Sequence, residues 1–326
     1  MNESAETWFF QRTSTWRDWS LPQVSDSKRC QQATISVVIP AKNEERTVGG
    51  VVSAVRDALV RGVPLVDEVV VMDSDSTDAT AEVAEKAGAT VYRCCDIGPS
   101  LGSHPGKGEA LWKSLLVTSG DILVFLDADL TRWGTHFITG LLGPLLNDNG
   151  VLLVKACYER LWPAVPEAAG VGQVAGGRVT ELVARPLLNL WWPELAGVAE
   201  PLGGEWAVRR SLLEALSIPV GYGVELAVLL DTAERFGLDA VAQVDLGERG
   251  HRHQPDQDLA VMAAELLLVA ERRWSARRHS QQEDRHGPTA ELCQFTRVNS
   301  RLYPRMRVVP AAERPPVRSL SPGLAR

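Results

Sequence analysis

Four short apolar runs, each next to a helix-patterned segment, limit what the first half of this chain can become. They are "ATISVVIPA" (33–41), "VDEVVVMD" (66–73), "ATVYRC" (89–94) and "DILVFLDADL" (121–130). Their apolar stretches are continuous rather than alternating with polar residues, so each reads as a strand buried on both faces. Between them, "NEERTVGGVVSAVRDALV" (43–60) has acids at its start and apolar residues three and four apart. "STDATAEVAEKAG" (76–88) offers Ser76 or Thr77 as a cap and Gly88 as a stop, and "GKGEALWKSLLVTSG" (106–120) is a helix reached through glycines. Strands alternating with helices predict an α/β fold with a Rossmann-like, mostly parallel sheet flanked by helices.

The second half is less regular. "VLLVKACYER" (151–160) reads as a strand, "GGRVTELVARPLLNLWW" (176–192) as a helix following two glycines, and "GYGVELAVLLDTAERFG" (221–237) as an amphipathic helix with Glu225 in its first turn. "DAVAQVDLGERGHRHQ" (239–254) reads as a strand running into a charged loop, and 256–278 as a helix. Residues 1–32 lack a clear period and read as an arm; from about 304 the Pro- and Arg-rich chain reads as an extended or mobile tail. One compact domain with a C-terminal elaboration is expected.

A net charge of −7 argues against a polyanion-binding surface, so no nucleic-acid partner is expected. No apolar run reaches the roughly 20 residues a bilayer crossing needs, and no secretion signal is recognisable, so no membrane partner is expected either. Five cysteines, without CxxC spacing, suggest free thiols in a reducing compartment; Cys94 and Cys95 read as plain thiols. A cytoplasmic location follows.

In parallel sheets ligands bind outside the carboxyl ends of the strands, and that is where the polar clusters fall. "VFLDADL" places Asp127 and Asp129 on the same side of a strand, two carboxylates that repel unless a cation lies near them. Such pairs suit Mg²⁺ or Mn²⁺ completed by substrate phosphates. "PAKNEE" turns the Ala41 and Lys42 backbone and the Glu44 carboxylate to the same crevice, and Asp73 is suited to a ribose hydroxyl or a base edge. "HPGKGEA" sets Lys107 between glycines at a helix start, fit for a phosphate or a uracil-side contact, although the P-loop spacing is absent. Taken singly, each of these segments also reads as an ordinary cap or turn.

The ordered set "VVIPAKNEERTV", "VVVMDSDSTDAT", "PGKGEALWKSL" and "FLDADL" resembles the nucleotide-sugar half of an A-type glycosyltransferase. "GGRVTELVARPLL", "PLGGEWAVRRSLL", "GYGVELAVLLDT" and "GHRHQP" narrow the resemblance to retaining glucosyl-3-phosphoglycerate synthases, with mannosyl-specific synthases as near relatives. It covers roughly residues 33–255. It implies a nucleotide-sugar-binding half over 33–150, an acceptor-binding and catalytic half over 151–303, and a tail over 304–326.

The resemblance implies transfer of glucose from an NDP-glucose, usually UDP-glucose, to the 2-hydroxyl of 3-phosphoglycerate. Pro40, Ala41, Lys42, Glu44, Asp73, Ser74, Lys107, Asp127 and Ala128 would bind the donor. Asp129 and His251 would hold Mg²⁺ or Mn²⁺, and Gly177, Arg178, Val179, Thr180 and His253 would bind the acceptor. Glu225 and Tyr222 would flank the reacting centre with Asp129. A bland role for Arg178 is a helix-surface pair with Glu181. The resemblance also implies a homodimer and a product at the head of methylglucose polysaccharide or glucosylglycerate routes. No second carboxylate suits a double displacement, so front-face attack is expected, with the departing β-phosphate taking the acceptor proton.

The chain departs from the family at Lys42, Asp75, His253 and "PLGGEWA", which bears on donor and acceptor choice. A GDP-mannose or dual-donor enzyme is the alternative. A nucleotidyltransferase would begin with a glycine-rich loop, which "IPAKNEE" lacks; a non-catalytic sensor would not need Asp127, Asp129, Arg178, Glu225 and His251 together.

Overall fold

The computed structural model describes residues 2–160, 177–250, 256–278, 288–298 and 301–321. In chain order the elements begin with α1 (Glu3–Arg12), β1 (Thr13–Thr15), α2 (Leu21–Gln31), β2 (Ile35–Ala41), α3 (Val48–Val55), β3 (Glu68–Asp73), α4 (Thr80–Ala87) and β4 (Thr90–Arg93). They continue with α5 (Lys107–Val117), β5 (Ile122–Phe125), α6 (His136–Asn147), β6 (Leu153–Arg160), α7 (Arg185–Trp191), β7 (Trp206–Arg209) and α8 (Arg210–Leu213). The last are β8 (Ile218–Pro219), α9 (Val224–Phe236), β9 (Val241–Arg249), α10 (Asp256–Arg277), β10 (Thr289–Val298), β11 (Arg301–Pro310) and β12 (Glu313–Arg314).

Eight strands form one sheet in the order β1-β9-β6-β7-β5-β2-β3-β4, and only β7 runs antiparallel to its neighbours. Register explains the continuous apolar runs. Val37 is paired with Val69 and Val124, and all three enter the core on one face. Val38, paired with Val70 and Phe125, enters the core on the other. Successive residues of a strand point to opposite faces, so both must be apolar when helices cover both. Here α3 and α6 pack on the first face, α5 and α9 on the second. Each fully buried side chain of this kind contributes about 1.5–3 kcal/mol.

Two corrections concern the chain ends. Residues 1–32 are not an irregular arm: β1 joins the sheet edge beside β9, and the Trp8 indole donates to Leu238 O and Val241 O at 3.1 and 3.0 Å. Nor is the segment from 304 a loose tail. β11 pairs along its length with β10, and β12 pairs with β8. Arg314 is buried, gripping Glu109 of α5 and the carbonyls of Leu101 and Gly102 at 2.6–3.0 Å.

The start of α4 also differs from expectation. Neither Ser76 nor Thr77 caps it; instead Ser76 Oγ accepts from Asn43 N–H at 2.9 Å, and Thr77 N–H donates to Asn43 Oδ1 at 2.8 Å. Asn43 and Asp75 both adopt φ 57°, so these cross-links hold the loops after β2 and β3 in a backbone region that non-glycine residues seldom occupy. Gly88 does end α4, with φ 99°. Among the described residues no helix is long and apolar enough to cross a membrane. All five cysteines are unpaired, and burial pushes the Cys94 thiol up to about 12.

Candidate active site

The ends of β2, β3 and β5, the start of α5 and the loop before α9 enclose a cavity of about 760 Å³. Pro40, Ala41, Lys42, Glu44, Ser74, Lys107, Asp127, Ala128, Asp129 and Tyr222 all line it. Asp73 does not: it is buried beneath the loop, where its carboxylate braces Ser76 N–H at 3.3 and 3.4 Å. Gly177, Arg178, Val179 and Thr180 lie at the start of a helix that widens to a π-helical turn over Thr180–Ala184. Glu181 there takes Arg185 at 3.1 and 3.2 Å. His251 and His253 lie outside the described residues.

Asp127 and Asp129 arrive by a different route from the one their spacing suggests. β5 stops at Phe125, so both carboxylates sit on the loop beyond the strand rather than on one of its faces. Their convergence comes from cations. Asp127 Oδ1 accepts from Lys107 Nζ at 2.6 Å, and Oδ2 accepts from Arg249 at 2.6 Å. Lys107, the first residue of α5, also stands 2.8 Å from Glu225 Oε1, an ion pair outside hydrogen-bonding angles. Burial works against the Lys107 charge, yet Asp127 and Glu225 hold its pKa well above the ordinary value. One ammonium thus joins the cavity rim to a carboxylate that is only 3% exposed beneath it.

Arg249, Glu205 and Lys155 have no role assigned in the motif reading, although Glu205 lies within "PLGGEWA", yet they complete the site. Because β7 runs backwards, its first residues lie at the same rim as the ends of the parallel strands. Glu205 is there fully buried, and its Oε1 accepts from Arg249 Nε and NH2 at 3.0 and 2.8 Å. Lys155, paired in register with Trp206, donates to Gly203 O at 2.7 Å, and burial lowers its pKa to about 8. The legible signals were a lysine inside the apolar run "VLLVKA" and the acid of "PLGGEWA", a segment marked as bearing on donor and acceptor choice.

Among the described residues, Asp129 has Arg249 as its nearest cationic partner, at 4.0 Å. Burial, then the Asp127 charge, push its carboxyl up to about 6. A hard divalent cation would reverse that shift, and carboxylate oxygens are the donors it prefers, so Asp129 fits the metal-ligand position. Among the described residues no cluster of three or more His, Cys, Asp or Glu side chains is arranged to hold a metal, so Asp129 stands there as a single candidate ligand. The raised pKa sets a testable sign. Stability that Asp129 provides in its protonated form is full below its unfolded value and is lost as pH rises through about 6. In metal-free protein at pH 7.5, Asp129→Asn is therefore expected to raise stability by about 1–2 kcal/mol, discounted for partial exposure. Thermal melts across pH should show the gain shrinking below pH 6, and the variant should lose the stabilisation that added Mn²⁺ gives the wild type.

Comparison with known proteins places this geometry. The Glycosyl transferase family 2 model matches residues 36–159. A glucosyl-3-phosphoglycerate synthase from Mycolicibacterium smegmatis is 42% identical over 95% of this chain and 99% of its own; one from Mycolicibacterium paratuberculosis is 45% identical over 81% and 79%. The Mycobacterium tuberculosis synthase, crystallised with Mn²⁺, UDP and phosphoglyceric acid, aligns with a TM-score of 0.81 at 40% identity, covering 94% of this chain and 98% of that one. Mannosyl-3-phosphoglycerate synthase from Rubrobacter xylanophilus aligns at 0.87 with 36% identity, covering 97% and 99%. At such identity over nearly the whole length, the chain belongs to the glucosyl-3-phosphoglycerate synthase family.

Proposed function

We propose that this enzyme transfers glucose from UDP-glucose to the 2-hydroxyl of 3-phosphoglycerate, with retention at the anomeric carbon, giving glucosyl-3-phosphoglycerate. The observation that carries the reading is Lys107, which spans from Asp127 at the rim to buried Glu225. A donor diphosphate at the α5 start meets its ammonium and the helix N-terminus together. The sugar then lies over Glu225. The M. tuberculosis synthase crystallised with Mn²⁺, UDP-glucose and phosphoglyceric acid is a relative that binds this donor and acceptor class.

Asp129, with His251 as its partner by family resemblance, would hold Mg²⁺ or Mn²⁺, which when bound would neutralise charge developing on the diphosphate. The protein's own part is positioning. Asp127 is fixed through both oxygens, so it orients the donor without competing for the anomeric carbon. Glu205 is tied to Arg249 and Glu225 to Lys107, so neither stands as an unengaged nucleophile. That arrangement favours front-face attack, in which the acceptor hydroxyl bonds to the anomeric carbon as its bond to the diphosphate breaks. The hydroxyl proton passes to the leaving β-phosphate oxygen. Glu225 aligns the sugar and the incoming hydroxyl, while Gly177, Arg178, Val179 and Thr180 hold the acceptor phosphate at their helix start.

Glu225→Gln keeps the side-chain shape and removes the charge that faces Lys107. Its kcat is expected to fall about 10²-fold while UDP affinity in the presence of Mg²⁺ stays within about twofold. Undiminished turnover removes Glu225 from the role. The fold's likeness to the R. xylanophilus mannosyl synthase supports GDP-mannose as the second donor reading. A panel of UDP- and GDP-hexoses with 3-phosphoglycerate and Mg²⁺, followed by nucleotide release, decides between them. By family resemblance we further infer a cytoplasmic homodimer whose product enters glucosylglycerate or methylglucose polysaccharide synthesis.

A further inference from the structure

The loop Gly221-Tyr222-Gly223 is tied down on three sides. Val220 O and Gly221 O accept from Glu109 N–H and Gly108 N–H, at 2.9 and 3.1 Å, in the first turn of α5. Val220 N–H donates to Ala312 O at 3.1 Å, just ahead of β12. On the third side Tyr222 N–H donates to Glu265 Oε2, a carboxylate borne by α10. The two glycines fit this last contact closely. A Cβ on Gly221 would overlap the Glu265 carboxylate, and one on Gly223 would stand 2.5 Å from Val269 Cγ2, one helical turn further along α10.

Glu265 is buried at 8% exposure, and both it and Tyr222 line the cavity. Burial pushes its carboxyl up to about 6, with the Tyr222 N–H as the one opposing contact. A buried carboxylate is a poor way to gain stability, since an apolar side chain of similar size packs at least as well. What it gives is a directed acceptor for one amide. That amide lies one residue before Gly223, the residue that precedes α9, and three before Glu225 in its first turn. The same strap carries the carbonyls that hold the turn bearing Lys107.

We propose that Glu265 is a positioning residue for transfer: through the Tyr222 amide it fixes the strap that sets Tyr222, Glu225 and Lys107 against one another. This rests on the transfer reaction proposed above and assigns α10 a part in it. Removing the acceptor frees the strap, and small misplacements of reacting groups cost about 10–100-fold in rate. Donor binding is largely spared, because it draws on the β2, β3 and β5 loops as well as on Lys107, and Lys107 keeps its own contact with Asp127.

The test compares Glu265→Ala with Glu265→Gln, whose side-chain carbonyl accepts the same N–H. Glu265→Ala is expected to speed amide exchange at residues 220–223 at least about tenfold and to lower kcat about 10–100-fold, with UDP affinity within about twofold of wild type. Glu265→Gln should restore the exchange protection and at least a third of the turnover. Unchanged exchange in Glu265→Ala overturns the latch. Equal losses of kcat, UDP affinity and melting temperature overturn it too, because they mark general loosening, as does a glutamine variant no better than alanine. Absence of transfer by the wild type sinks the reaction reading instead, and the exchange comparison still decides the latch.

Discussion

Arg249→Met is expected to destabilise the protein by about 3–5 kcal/mol and to weaken UDP binding in the presence of Mg²⁺ at least about 100-fold. Glu205 is fully buried; its Oε1 receives both Arg249 bonds, and its Oε2 is buried with no hydrogen-bond partner among the described residues. Methionine preserves the packing volume but leaves that carboxylate uncompensated, the situation in which breaking a buried pair costs most. Asp127 also loses the partner of one oxygen and is no longer held from both sides. The two losses separate in a double variant. Adding Glu205→Gln removes the stranded charge and should recover most of the stability by urea denaturation. Donor affinity, measured by calorimetry, should stay low because Asp127 is still released. Arg249→Lys should fall between, since one ammonium cannot reproduce a planar fork that reaches Glu205 and Asp127 together. Full stability in the single variant would mean that Glu205 finds another partner or is protonated.

The parts of this site that were legible in the sequence lie where local pattern and tertiary position agree. β2, β3 and β5 have continuous apolar stretches because both faces are covered, so their strand ends, and with them Pro40, Glu44, Ser74 and Asp127, could be placed at one rim. Glu225 was legible for a similar reason, since a helical period running to Phe236 puts it in the first turn of α9. The illegible parts are those fixed by pairing across the chain. β7 has four residues, and nothing in "WAVR" says that it runs against its neighbours. Yet that reversal brings Gly204 and Glu205 to the rim instead of the opposite edge. The "tail" is held by Arg314, whose partner Glu109 lies 205 positions earlier, a distance at which no local period carries information. Asp73 was placed less accurately, because a residue that ends a strand can turn down to brace its own loop as easily as up towards the cavity. α10 was legible as a helix, but its contact with Tyr222 joins residues 43 apart and rests on glycines whose signal is only the lack of a side chain.

Gly204 supplies the sharpest test of how tightly the rim is built. A Cβ there would lie 2.6 Å from Asp127 Cγ and closer still to both its oxygens. Asp127 cannot step aside without giving up contacts of 2.6 Å to Lys107 and to Arg249. The backbone on the other side is held as well, because Lys155 grips Gly203 O at 2.7 Å. One added methyl group must therefore break one of these arrangements. Gly204→Ala is expected to cost about 1–3 kcal/mol of stability. It should also lower UDP affinity with Mg²⁺ about 100-fold, equivalent to about 2.7 kcal/mol. Gly50→Ala is the control: it lies inside α3 with nothing within 4 Å of the new Cβ, so removing a helix glycine should be neutral or stabilising by up to about 1 kcal/mol. The cause can be isolated in the Asp127→Ala background. If the clash with that carboxylate is what matters, Gly204→Ala adds almost no further loss there, so the pair is strongly non-additive. Additive losses would trace the effect to the Gly203–Glu205 backbone rather than to Asp127.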